Sequence, residues 1–97
     1  MKIIFSSVAE KEIRESFQWY EIQTVGLGKK FIEVVDKTIS FILFNPKGFP
    51  KKYAQYREVA ITKFPYLIIY EFDEIHETIF IFHVFHTKRN PRLKYKK

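Results

Sequence analysis

The chain has 97 residues, a formal net charge of +6 and no cysteine. That length suits one domain, 1–97, and not two. The absence of cysteine excludes a disulfide framework and a thiolate metal site. With 19% aromatic residues and only 3 Gly and 4 Pro, the composition argues for a packed core rather than disorder. The apolar start Met1–Phe5 turns polar too soon for a signal peptide. No apolar run approaches the ~20 residues of a membrane span. The expected location is therefore the cytoplasm, without membrane contact.

Residues 2–5 are β-prone and predict a short first strand. Ser7-Val8-Ala9-Glu10 reads as a capping box, with Ser7 as N-cap. Ala9, Ile13, Phe17 and Tyr20 then follow at helical spacing, with Lys11, Glu12, Glu15 and Gln18 on the opposite side. This helix is expected to stop near Gln23, because Gly26 and Gly28 break the pattern. A second helix is expected from near Lys29. It presents Phe31, Val34, Val35, Thr38, Ile39 and Ile42 on one face and ends at Asn45-Pro46, since proline cannot continue the ladder. The short connection favours an antiparallel hairpin.

Beyond Lys47–Pro50 the period changes to two. Strands are predicted over 56–62, 66–72 and 78–85, with a turn at 73–76. In the last strand Phe80, Phe82 and Val84 fall on one face, and Ile79, Ile81, His83 and Phe85 on the other. Both faces are apolar, as in a strand at the middle of a covered sheet. The fold class is α+β: a short N-terminal strand and a two-helix antiparallel hairpin, packed on a small antiparallel sheet. The hairpin covers one face of that sheet. Aromatic surface on the other face predicts a partner.

The charge is uneven. Residues 1–48 carry 7 basic and 6 acidic side chains, and residues 49–97 carry 10 and 5. Residues 93–97 form a basic tail, and the whole asymmetry favours an acidic or polyanionic partner. Lys51, Lys52, Lys88, Arg92 and Lys94 are the candidate contacts to such a target. Tyr53, Tyr56 and Tyr95 interleave with lysines, a pattern that suits stacking and phosphate contact and equally suits an ordinary amphipathic surface.

His76, His83 and His86 have no ligand spacing, so neither a metal nor another cofactor is expected. No nucleophile elbow or phosphate-cradling glycine loop is present. The informative cluster is Arg57, His86, Lys88 and Arg89. RNA cleavage without metal needs a base, a cation for the phosphorane and an acid for the leaving oxygen. Histidine serves as either base or acid near neutrality, and arginine forks phosphate. A neighbouring or crossed strand would have to bring Arg57 to the end of the last strand. The plainer alternatives are a surface or capping role for His86 and an ion pair from Arg57 to Glu58 or Glu71.

Several pieces recur in a fixed order: Ser6-Ser7-Val8-Ala9, Trp19-Tyr20-Glu21, Gly26-Leu27-Gly28-x-x-Phe31 and Asn45-Pro46. They are followed by Arg57, Phe64-Pro65-Tyr66, Tyr70 and Val84-Phe85-His86-Thr87-Lys88-Arg89-Asn90-Pro91. Together they resemble the RelE/ParE superfamily, the toxin half of type II toxin–antitoxin pairs, over about residues 3–92. The resemblance implies a helical hairpin on a small twisted antiparallel sheet and a cognate antitoxin that wraps the toxin. It also implies assembly as a homodimer or as a heterotetramer with that antitoxin. Arg57, His86 and Arg89 match positions that act in the ribosome-dependent mRNA endonucleases of the superfamily, and are the candidate catalytic residues. The Phe64-Pro65-Tyr66 and His86…Arg89…Pro91 signatures are closer to the members that poison DNA gyrase. The nucleases' lysines are only loosely echoed by Lys51 and Lys52, while Tyr95 is the candidate for their C-terminal tyrosine. The expectation is a growth-inhibiting toxin directed at gyrase, with an mRNA endonuclease and an inactive antitoxin-binding module as the alternatives.

Overall fold

The structure, a computed structural model, describes residues 1–95. Element order is β1 (Lys2–Phe5), α1 (Ser7–Gln23), α2 (Leu27–Phe44), β2 (Lys51–Tyr53), β3 (Tyr56–Ala60), β4 (Tyr66–Asp73) and β5 (Thr78–His86), then a 3₁₀ turn at Pro91–Leu93. The sheet order is β1-β5-β4-β3-β2. Four strands form an antiparallel meander: the three that the hairpin spacing predicts, and β2 at the edge, which that spacing does not include. The first strand joins the far edge parallel to β5, so the sheet is mixed. The reason is topological: the whole helical hairpin and the meander separate β1 from β5, which permits the parallel pairing that a tight turn forbids.

Helix α1 is capped one residue earlier than the sequence suggests. Ser6, not Ser7, is the N-cap, and its Oγ accepts the Ala9 N–H at 2.9 Å. The same hydroxyl donates to the Phe82 carbonyl at 2.7 Å. Ser6 wins because it directly follows β1 and can serve strand edge and helix end together, so the predicted Ser7–Glu10 box does not form. Helix α2 has no side-chain cap of its own: its N-cap is Gly26, at φ +89°. The Glu21 carboxylate of α1 supplies it instead, accepting the N–H groups of Gly26 at 2.9 Å and Gly28 at 3.0 Å. A negative group at this helix end also suits the dipole. Gly28 is needed for contact between the helices, since a Cβ there would meet the Phe17 carbonyl oxygen at 2.6 Å.

Phe31, Val35, Ile39 and Ile42 of α2 and Ala9 of α1 bury against Tyr66, Ile68, Tyr70, Ile79, Ile81 and Val84 of the sheet. The inclusion of Val84 corrects the expected facing of β5. Ile69 pairs with His83 and Tyr70 with Ile81, so Phe82 is an extra, bulged residue. The bulge puts Val84 on the helix side with Ile79 and Ile81, and turns His83 and Phe85 to the outer side.

The outer face is not left bare for a partner, as the sequence suggests. The chain after β5 folds back over it. Tyr95 stacks on Tyr53 with ring centroids 4.6 Å apart and lies 5.5 Å from Tyr56, which stacks on Phe82 at 4.9 Å. The Tyr95 hydroxyl donates to Glu58, and Lys94 Nζ reaches the same carboxylate at 3.3 Å. On that face Ile69 and Phe85 are fully buried. Lys94 is thus not part of a free basic tail. Lys96 and Lys97, the remainder of the predicted tail, lie outside the described residues. The most exposed apolar side chains of the helical hairpin are at its loop end, at Trp19, Ile22 and Val25, and at Phe41 and Phe44 of α2. No helix among the described residues is long and apolar enough to cross a membrane.

Candidate functional site

The candidate residues fall into two places. Arg57 sits on β3 opposite Tyr70, and His86 ends β5 opposite Tyr66. Four residues along β4 separate the two registers, about 13 Å along the strand and two strands apart. No crossing of strands brings them together.

Arg57 does not pair with Glu58 or Glu71. Its Nη1 donates to the Phe49 carbonyl at 2.6 Å and to the Lys47 carbonyl at 3.3 Å. Beside it the Tyr70 hydroxyl donates to the Pro46 carbonyl at 2.8 Å. Burial pushes the Tyr70 phenol up to about 12, against an opposing pull from the Arg57 charge. Together these side chains fasten the loop between α2 and β2.

His86 and Arg89 lie in one cleft between α1 and the end of β5. Its larger lobe, about 410 Å³, is lined by Val8, Lys11, Glu12, Ser16, His86 and Arg89, among others. Glu12 organises it. This carboxylate accepts the Val84 N–H at 2.9 Å and Arg89 Nη1 at 2.8 Å, and both its oxygens lie 3.1 Å from His83 Nδ1. A carboxylate accepts only, so His83 carries its proton on Nδ1. His83 is buried, and its Nε2 has no partner among the described residues. Arg89 also lies over the Phe85 ring, 4.9 Å from its centroid. His86 accepts the Lys88 N–H on Nδ1 at 3.0 Å, which leaves the proton of the neutral ring on Nε2.

A second lobe of about 280 Å³ continues the cleft along α1, past Glu15, Ser16, Trp19, Tyr20, Tyr66 and His86. Burial, and then the Tyr66 hydroxyl beside it, push the Tyr20 phenol up to about 12. The remaining histidine, His76, is absorbed in the β4–β5 turn, where its Nδ1 lies 2.7 Å from Asp73 and holds that carboxyl below its usual range. Among the described residues no group of His, Asp and Glu is arranged to hold a metal ion.

The sequence model of a family described as "ParE toxin of type II toxin-antitoxin system, parDE" matches residues 3–91. The chain belongs to the ParE toxin family. Among solved structures it is similar to one from the chromosomal ParDE toxin–antitoxin system of P. aeruginosa, with a TM-score of 0.74. That match has 12% identity over 91% of this chain and 97% of the other. It is also similar to the isolated E. coli RelE toxin, with a TM-score of 0.67 and 17% identity over 94% of this chain and 88% of that one. At these identities the likeness is one of fold. No curated sequence matches the chain significantly.

On this ParE-family fold the basic candidates take different roles. Lys51 and Lys52 lie exposed on β2, the edge of the sheet, with no ion pair among the described residues. Lys88 and Arg92 are exposed beyond β5. Lys94 is bound to Glu58, and Tyr95 donates to the same carboxylate. Burial and that carboxylate push the Tyr95 phenol well up from its ordinary value. Sequence reasoning missed Glu12, Glu15 and Tyr66 as members of the cleft. Glu12 looks like any polar-face residue of an amphipathic helix, and its partners lie more than seventy positions away.

Proposed function

We propose that the chain is the toxin of a ParE-type module that acts on DNA gyrase in the cytoplasm. On this reading it works as a binding protein rather than a nuclease, and a cognate antitoxin holds it in check. The observation that carries the reading is the dispersal of the nuclease candidates. RNA cleavage needs base, cation and acid around one phosphate. Here Arg57 fastens a loop, Tyr95 is tied to Glu58, and only His86 and Arg89 share a cleft, with Arg89 paired to Glu12. Exposed Lys51, Lys52, Lys88 and Arg92 supply positive surface for a target that carries DNA.

The nuclease alternative draws on the one pair that does meet, His86 with Arg89. Inducing the protein alone in cells, with mRNA 5′ ends mapped and gyrase assayed, separates the readings. Stalled or cleaved gyrase–DNA complexes with intact mRNA are expected. New mRNA ends that disappear in His86→Ala would transfer the activity to RNA, and normal growth would leave only an antitoxin-binding module. Arg57→Ala belongs in the assay with its stability measured, because loss of the loop fastening alone reduces folded toxin.

A further inference from the structure

We propose that the lobe between α1 and the end of β5 is a cation cage, which receives an arginine side chain presented by a partner protein. The inference is independent of which target the toxin strikes.

Four rings wall the lobe. Trp19 meets Tyr20 edge-to-face, with centroids 5.2 Å apart and planes at 87°. Tyr66 meets His86 at 4.9 Å and 76°. Tyr20 and Tyr66, 6.3 Å apart and at 64°, join the two pairs. In each edge-to-face pair one ring's edge rests on the other's face, and Tyr20 and Tyr66 also pack on Phe31. The ring surface open to a cation is therefore mainly that of Trp19, whose free face carries the negative lobe of its quadrupole. Trp19, the best cation acceptor of the four, is 59% exposed at its rim.

Electrostatics selects the sign of the ligand. Glu15 lines both lobes and has no ion-pair partner among the described residues, while its neighbour Glu12 is satisfied by Arg89 and His83. Helix α1 carries Glu10, Glu12, Glu15 and Glu21 against Lys11 and Arg14, a balance of −2 in a chain of +6. A net-acidic helix of a basic protein therefore carries its only tryptophan. Arginine fits better than lysine because its flat guanidinium stacks on one ring while its edge reaches the carboxylate. The cleft also continues into the larger lobe, where Lys11 and the outer face of Arg89 offer donors. That extension suits the backbone carbonyls of a peptide on either side of the arginine better than it suits a lone amino acid.

Trp19 is the single tryptophan, so its fluorescence reads occupancy of the cage directly. The probe is acetyl-Gly-Arg-Gly-amide, compared with the same peptide carrying citrulline, which keeps the shape and removes the charge. A saturable Trp19 response to the arginine peptide is expected, weakened about fivefold in Glu15→Gln and at least tenfold with citrulline. Glu15 is exposed on the helix, so this variant is expected to melt like the parent. No saturable response, or equal responses to the arginine and citrulline peptides, overturns the cage. Tighter binding of free L-arginine than of the peptide overturns the protein-partner assignment.

Discussion

At the scale of single residues, the side chain with the most consequence is one that sequence chemistry passes over. Strand β1 covers the edge of β5 only as far as Ile81, where the Ser6 N–H bonds the Ile81 carbonyl. Beyond it the strand edge has to be satisfied by other groups, since unpaired buried backbone is costly. Ser6 Oγ takes the Phe82 carbonyl and Glu12 takes the Val84 N–H. Glu12 then also anchors His83 and Arg89, with its own side chain 12% exposed. Removing it leaves a buried N–H and a buried imidazole without acceptors. Glu12→Ala is expected to cost about 3 kcal/mol in urea unfolding. Arg89→Ala leaves those bonds in place and exposes no buried donor, so about 1 kcal/mol or less is expected. Equal losses for the two variants would show that the ion pair, not the edge satisfaction, dominates. The same contrast explains what was legible in the candidate site. His86 and Arg89 are close in sequence on a strand end, so their meeting could be read directly. The separation of Arg57 from them depends on register, which no local pattern specifies.

At the scale of elements, the two helices and the three longer strands were readable because each has one strong period and clear stops: Gly26 after α1, Asn45-Pro46 after α2, and the turn at 74–77 between β4 and β5. Strand β2 was not, because it has three residues and its turn runs through Ala54 at φ +48° instead of an Asn-Gly signal. The facing of Val84 was misread for a related reason. A bulge reverses alternation without any composition mark, and Phe82 is as β-prone as its neighbours. The N-cap shows how an element boundary is decided outside the element. Two adjacent serines compete, and the sheet edge chooses Ser6. Ser6→Ala loses both the cap bond and the bond to Phe82, and about 2 kcal/mol of destabilisation is expected. Ser7→Ala changes an exposed first-turn residue and is expected to fall within about 0.5 kcal/mol of the parent. Thermal melts of the pair test the assignment; a larger loss at Ser7 would restore the capping box.

At the scale of the whole molecule, the segment through Tyr95 packs on the sheet as part of the fold, and its closure is expected to weaken in alkali. Tyr95 joins Tyr53, Tyr56 and Phe82 in one aromatic layer and donates to Glu58, whose side chain is 10% exposed. A phenolate there would face a carboxylate, so the neutral form is favoured in the folded state. Burial raises Tyr20 and Tyr70 to about 12 from an ordinary value of 10.0, mainly by penalising their charged forms. All three shifts are upward, so the stability linked to them is complete below the unfolded phenol value near 10. It is lost as pH rises through the folded values, because the unfolded chain releases protons first. Unfolding monitored by circular dichroism is therefore expected to leave stability flat from neutrality to about pH 9.5 and to reduce it steadily above pH 10. Phenolate absorbance from buried Tyr70 and half-buried Tyr20 and Tyr95 should develop together with loss of structure rather than before it. Deleting residues 91–97 removes Tyr95 and Lys94, uncovers the outer aromatic layer and leaves Glu58 without its partners. That truncated chain is expected to bind a hydrophobic dye, to lose about 2–3 kcal/mol at neutral pH, and to show a shallower alkaline decline than the full chain. An unchanged alkaline slope after the deletion would mean that Tyr95 contributes nothing to it, and that closure of the outer face depends on packing alone.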